Sequence, residues 1–298
     1  MKKLLFAICI LSLLTSCKKD TESLGKKPLA YAEVPKESLK ELYGLWTGTL
    51  EPVLPENENG DMEMEYDTRK ITIKINRISK DSVFGQSIVS GNQRPLKGVW
   101  TKTDGRISFI LDEPGNNKYD GRFELSVYDD NMQGNWVIYK PNKEIPSTKT
   151  LKLVQKQFVY NPNFMLDEEM EIVDWDTPIQ EEVVDSTEDG KKTVYLKDIY
   201  RWASEEAFKI NASTDTLTEE SLKNLRKLDL EIVRNCIFAR HGYSFKKSSL
   251  RYFFESSEWY VPVSNNVDNE LTQLEKQNIE LLKRLEEYAT DHYDTFGR

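Results

Sequence analysis

Ten residues, Arg234-Asn235-Cys236-Ile237-Phe238-Ala239-Arg240-His241-Gly242-Tyr243, gather the side-chain types that could do chemistry in this chain. A thiol beside an imidazole could supply a nucleophile and its base, and guanidinium forks beside a carboxamide could hold a carboxylate or another anion. Spacing argues against the nucleophile. Cys236 and His241 are more than one helical turn apart and on different faces, and Cys236 falls on the apolar side. No metal centre is expected, because His241 and His292 are the two histidines of the sequence and no Cys- or His-rich ligand set can form. Carboxylates such as Glu63, Glu65 or Glu124 could serve a polymer hydrolase, but with 50 acidic residues such pairs arise without a function.

Helices must position the cluster. Ile232, Val233, Cys236, Ile237 and Arg240 share one helical face, which predicts a helix from about Asp229 to His241 with Gly242 as its left-handed stop. Arg234, Phe238 and His241 stack on the neighbouring ridge. A second helix is expected from Ser248 or Ser249 through Phe254. An extended link through Trp259, Tyr260 and Pro262 follows, then a last helix from about Thr272 to Tyr288. Thr216 with Glu219, and Thr272 with Glu275, match capping boxes. Leu274, Ile279, Leu282 and Leu285 give the last helix an apolar stripe. Glu275 and Asn278 are therefore expected to meet Arg234, Asn235, Arg240 and His241 as a buried polar lock between the helices. The alternative is an anion or carboxylate site, with Tyr243, Trp259 and Tyr260 also available.

The first half of the chain is of a different kind. From Leu42 to Phe158, strand-like segments alternate with turn chemistry at Lys80-Asp81, Gly91-Asn92, Asp104-Gly105, Pro114 to Asn117, Asp129 to Asn131 and Pro141-Asn142. Ile71-Thr72-Ile73-Lys74-Ile75-Asn76 alternates without a break. The cuts leave about eight strands, enough to close a small antiparallel barrel, with a β-sandwich as the alternative. Gly44-Leu45-Trp46, Gly98-Val99-Trp100 and Gly134-Asn135-Trp136 repeat a pattern in which a glycine leaves room beside a large ring on the same face. Trp46, Trp100 and Trp136 are expected to pack the barrel, with contact to a ligand as the second reading.

Between Asn161 and Gly190 lie eleven acidic residues and no Lys or Arg. The calcium-loop spacing is missing around Asp174-Trp175-Asp176, and the segment reads as an exposed acidic linker. The formal charge of −9, falling to −11 if Lys2 and Lys3 are removed, argues against nucleic acid as a partner. The N-terminus predicts the compartment. Lys2-Lys3 precede an apolar run from Leu4 to Leu14 that is too short to span a bilayer comfortably. Leu14-Thr15-Ser16-Cys17 then resembles a lipobox, the recognition sequence of bacterial lipoprotein signal peptidase. That resemblance implies cleavage before Cys17 and an acylated, palmitate-type anchor on it. A plain secretory signal is the alternative. Lys18 in place of Asp after Cys17 implies sorting to an outer membrane, facing periplasm or cell surface. Cys236 would then be the one cysteine left unmodified, so no intramolecular disulfide is expected.

The segment from Glu219 to Glu287 resembles the YARHG domain, a small module of bacterial lipoproteins and secreted proteins. Phe238-Ala239-Arg240-His241-Gly242 matches its naming motif, with Phe in place of the first Tyr. Arg234-Asn235, Tyr243, Phe245, Phe254, Trp259-Tyr260, Glu275, Asn278-Ile279 and Leu282 also match, while Cys236 stands where a Glu is usual. The resemblance implies a small helical fold and an envelope location, and it implies no reaction. Gly44-Leu45-Trp46 at the start of the first strand resembles the Gly-x-Trp of lipocalin-like barrels. The basic residue that covers that Trp is missing, with Lys152 the nearest candidate.

The expected organisation is a signal peptide at 1–16, a lipidated Cys17 and tether at 17–37, and an antiparallel β-domain at 38–158. An acidic linker at 159–215, a helical YARHG domain at 216–290 and a tail at 291–298 complete it, for an α+β chain. The expected function is a non-enzymatic envelope lipoprotein without cofactor, binding an envelope protein, peptide or glycan. A barrel-type carrier of a small apolar ligand is the alternative, and a hydrolase a more distant one.

Overall fold

The computed structural model describes residues 37–53, 68–142, 145–167, 173–186 and 192–290. The signal segment, Cys17, the tether, Glu63, Glu65 and the tail with His292 lie outside them. Eight antiparallel strands close into a barrel in simple up-and-down order: β1 (Gly44–Pro52), β2 (Arg69–Ser79), β3 (Ser82–Val89), β4 (Asn92–Thr103), β5 (Arg106–Asp112), β6 (Gly121–Tyr128), β7 (Asn131–Ile138) and β8 (Thr148–Lys156). Pairing of β1 with β8, Trp46 opposite Gln155 and Leu50 opposite Leu151, completes the ring and excludes the sandwich. Closure leaves no sheet edge for another chain to pair with.

Alternation decides what lies inside. The interior is filled by Trp46, Ile71, Ile73, Ile75, Phe109, Leu111, Phe123, Leu125, Met132, Leu151 and Leu153, all nearly inaccessible to solvent. A 3-10 turn, Lys40–Leu42, plugs one end, and Trp46 fastens it by donating its ring N–H to the Leu42 carbonyl at 2.9 Å. Gly98 and Gly134 do more than make room beside a ring. A Cβ on either would sit 1.8 Å from the Ile110 carbonyl oxygen or 1.9 Å from that of Glu124, so the neighbouring backbone occupies that space. Inward glycines thus let the sheet curl tightly enough to close. Lys152 is exposed on the outer face, near Glu51, and does not cover Trp46.

The segment expected to be a linker is built otherwise. Tyr160 to Leu166 runs across the helical region: Phe164 stacks on Trp259 with ring centroids 5.4 Å apart, and Leu166 is buried in the helical core. Next, β9 (Val173–Ser186) pairs with β10 (Lys192–Trp202) as a separate two-stranded sheet. Its base is pinned where Arg201 reaches Asp174 at 2.6 Å and Glu231 at 3.3 Å. From Leu196 to Phe208 the chain completes β10 at Trp202 and then makes a 3-10 turn at Glu205–Phe208.

The helical region holds α1 (Glu219–Leu222), α2 (Lys227–Arg240), α3 (Ser248–Glu255) and α4 (Gln273–Tyr288). Thr272 and Glu275 cap α4 reciprocally, as the spacing predicts. The earlier capping box is displaced: Thr218 and Ser221 start α1, and Thr216 does not. After α2, Gly242 takes φ +73°, with Gly242 N–H bonded to Ala239 O at 2.9 Å and Tyr243 N–H to Phe238 O at 3.0 Å. Together these bonds satisfy the last carbonyls of the helix.

Barrel and helices form one unit. Thr47, Thr72 and Ile88 occupy outward register positions yet are 3%, 0% and 0% exposed, so the outer face of β1 to β3 is covered. Beside it, Glu255 accepts from Lys70 N–H at 3.0 Å, the Ser257 carbonyl from the Lys70 ammonium at 2.6 Å, and Ser244 Oγ from Gly91 N–H at 3.0 Å.

Candidate functional site

The polar residues of the helical region divide into separate locks. Arg240 is 1% exposed and donates to the Phe164 carbonyl at 2.6 Å, to Ser213 Oγ at 3.1 Å and to Met165 Sδ at 3.2 Å. Its direct partners are not Glu275 or Asn278, because the strap from Tyr160 to Leu166 reaches its fork first. Glu275 instead meets His241 Nε2 at 2.9 Å and the Tyr160 hydroxyl at 3.0 Å, and the Tyr160 and His241 rings stack with centroids 4.2 Å apart. Burial pushes the Glu275 carboxyl up, but His241, the Thr272 N–H and Ser213 outweigh it and hold its pKa down to about 2. Ser213 therefore links Arg240 to Glu275 at one remove.

Asn278 donates to the carbonyls of Ala212 and Asp215, each at 2.8 Å, and accepts from Leu217 N–H at 3.2 Å. Arg234 pairs with Glu286 near the surface, and Asn235 donates to the Glu231 carbonyl one turn back. Tyr260 donates to the Tyr243 carbonyl at 2.7 Å, and Trp259 to the Met165 carbonyl at 2.8 Å. Cys236 is buried and burial pushes its thiol pKa up, which leaves little thiolate. A carboxylate arriving from outside would have to displace these internal partners.

Among the described residues, a cavity forms at the other end of the barrel from the Trp46 plug. Its cavity, of about 280 Å³, has an apolar floor of Leu50, Ile71, Phe123 and Trp136. Three cations stand at inward positions on its wall: Arg69 opposite Leu50, Arg94 opposite Ser87, and Lys149 opposite Trp136. Arg94 is engaged by Asp120 through two hydrogen bonds of 3.0 and 2.7 Å. Glu113 is likewise occupied, accepting from Ser87 Oγ at 3.0 Å, Gly121 N–H at 2.8 Å and the Trp136 ring N–H at 3.2 Å. Burial nevertheless raises its pKa. The Lys149 ammonium lies 5.4 Å from the centroid of the Trp136 ring, whose edge Glu113 holds. Burial, and then the charge of Arg69, pull the Lys149 pKa below the ordinary lysine value.

Of the three tryptophans expected to pack the barrel, with ligand contact as the second reading, Trp136 lines this cavity. Trp46 belongs to the plug, and Trp100 sits at the plugged end opposite Phe109. The cations were missed, although a signal existed. Arg69 is in phase with Ile71 and Ile73, Arg94 with Leu96 and Trp100, and Lys149 with Leu151 and Leu153, so alternation alone puts each inside. Glu124, considered for hydrolysis, is exposed on the outer face of β6.

The molecule so described is a closed eight-stranded antiparallel barrel joined to a small helical module. Residues 206–287 match the family model of the YARHG domain, so the chain carries that domain at its C-terminal end. The match begins ahead of the expected boundary because Ala207, Phe208 and Ala212 already belong to the helical core. No curated protein and no solved structure matches the chain.

Proposed function

We propose that this protein is a non-enzymatic binding module of the bacterial cell envelope, anchored through lipid on Cys17, which receives a small molecule in the open end of its barrel. The observation that carries the reading is the cavity of about 280 Å³ between an apolar floor and a charged wall. Ligand sites are concave, mostly apolar and fitted with few polar groups, and their volumes start at about 300 Å³. The internal hydrogen bonding of Arg240, His241, Glu275 and Asn278 favours a structural role for the YARHG residues. It supports reading the barrel, and not that module, as the ligand site. Compartment and anchor rest on the Leu14 to Cys17 pattern together with the YARHG match.

Cell fractionation followed by native mass spectrometry tests both parts. The chain should partition with membranes, and Cys17→Ser should release it. Either form should carry a noncovalent small-molecule adduct that disappears when Ile71→Trp fills the cavity. An unchanged membrane fraction for Cys17→Ser removes the anchor. A bare mass in every preparation, with no uptake of added apolar acids or alcohols, removes the barrel site.

A further inference from the structure

We propose that the molecule received at the open end is an organic anion with an apolar body, and that its charged group is taken by Lys149. This rests on the barrel being the ligand site. The argument is one of unmatched charge. Of the polar groups around the cavity, Arg94 is matched by Asp120, and both Glu113 oxygens are filled by Ser87, Gly121 and Trp136. Lys149 faces inward above the Trp136 ring, and among the described residues no carboxylate lies within ion-pairing distance of its ammonium. A cation partly withdrawn from water, as Lys149 is, carries a cost without a counter-ion, and an aromatic face compensates only in part.

Position adds to this. Arg69 and Lys149 flank the end of β1, Arg69 opposite Leu50 and Lys149 opposite Pro52, so two like charges crowd one side of the mouth. Burial first, and then the charge of Arg69, hold the Lys149 pKa below the ordinary lysine value, with the Glu113 carboxylate opposing them. An anion beside Lys149 supplies the counter-charge its ammonium lacks, while its apolar remainder lies on Leu50, Ile71, Phe123 and Trp136. The same geometry disfavours a neutral ligand, which would bury the ammonium more deeply without matching it.

Decanoate and decanol, which share an alkyl body and differ in charge, separate the possibilities when titrated calorimetrically into the full chain. Decanoate should bind at least about tenfold more tightly, a difference of about 1.4 kcal/mol. Lys149→Met should remove that preference by weakening decanoate alone, with decanol bound at least as tightly as before and an unfolding midpoint that does not fall. Decanoate affinity should also fall as pH rises through the depressed lysine pKa, earlier than for an ordinary lysine. Vesicles of phosphatidylglycerol that compete with decanoate would identify the anion as a lipid headgroup, and vesicles that do not would leave a free acid. Equal binding of decanoate and decanol, or a Lys149→Met variant that keeps the preference, overturns the anion assignment alone. Failure of both probes to bind overturns the barrel reading beneath it.

Discussion

Glu275 shows how one residue can serve both a helix end and a domain core. It closes the capping box with Thr272, accepts from the Tyr160 hydroxyl and holds His241 under the Tyr160 ring. Its folded pKa of about 2 lies below the ordinary value of 4.5, so the folded state binds the proton less readily than the unfolded chain. The stability it contributes is therefore complete above about pH 4.5 and is lost as pH falls towards 2. Urea unfolding at pH 7, 4 and 3 should show this loss in the wild type. Glu275→Gln should cost on the order of 2 kcal/mol at pH 7 and flatten the acid dependence. Parallel pH curves for the two proteins would refute the assignment.

Among the elements, the barrel strands and the β9–β10 hairpin show what alternation can and cannot reveal. A strand with one buried face writes its period into the sequence, as β2 does. The hairpin leaves both faces wet, with Val184, Val194, Tyr195 and Leu196 exposed, so its sequence carries acidity and no period. Its strands are held by antiparallel pairing from Lys192 opposite Ser186 to Trp202 opposite Val173, and by the Arg201 to Asp174 link at the base. Curvature is the second element-scale property, and Gly98 tests it. Gly98→Ala drives a methyl into the Ile110 carbonyl and should cost about 1–3 kcal/mol or more, read from the urea midpoint. A neutral result would mean that the strands can spread apart without loss of closure.

For the whole molecule, the contacts of Lys70 and Gly91 with Glu255, Ser257 and Ser244 make the helical region part of the barrel's support. The clamped residues adjoin Arg69 and Ser90, which line the cavity, so the YARHG module braces the cavity rim. Unfolding in urea should therefore be a single transition by tryptophan fluorescence and by far-ultraviolet circular dichroism. The combined variant Lys70→Ala and Ser244→Ala should separate the two curves. Two transitions in the wild type would show instead that the seam carries no coupling.

Much of this was legible in the sequence, because local physics writes local signals. Turn residues at regular intervals, inward alternation and the Gly242 stop determined the strands of the barrel and the end of α2. The phases of Ile232, Val233, Cys236 and Ile237 determined which face of that helix is buried. The tertiary structure decided the partners. Arg240 meets the strap at Phe164 and leaves His241 to Glu275, and Lys149 faces a cavity whose wall is supplied by strands far apart in sequence. A residue's phase fixes which side of its element it occupies. What stands opposite depends on how distant segments fold back, and neither the strap at Tyr160 to Leu166 nor the closure of β1 on β8 has a local signal.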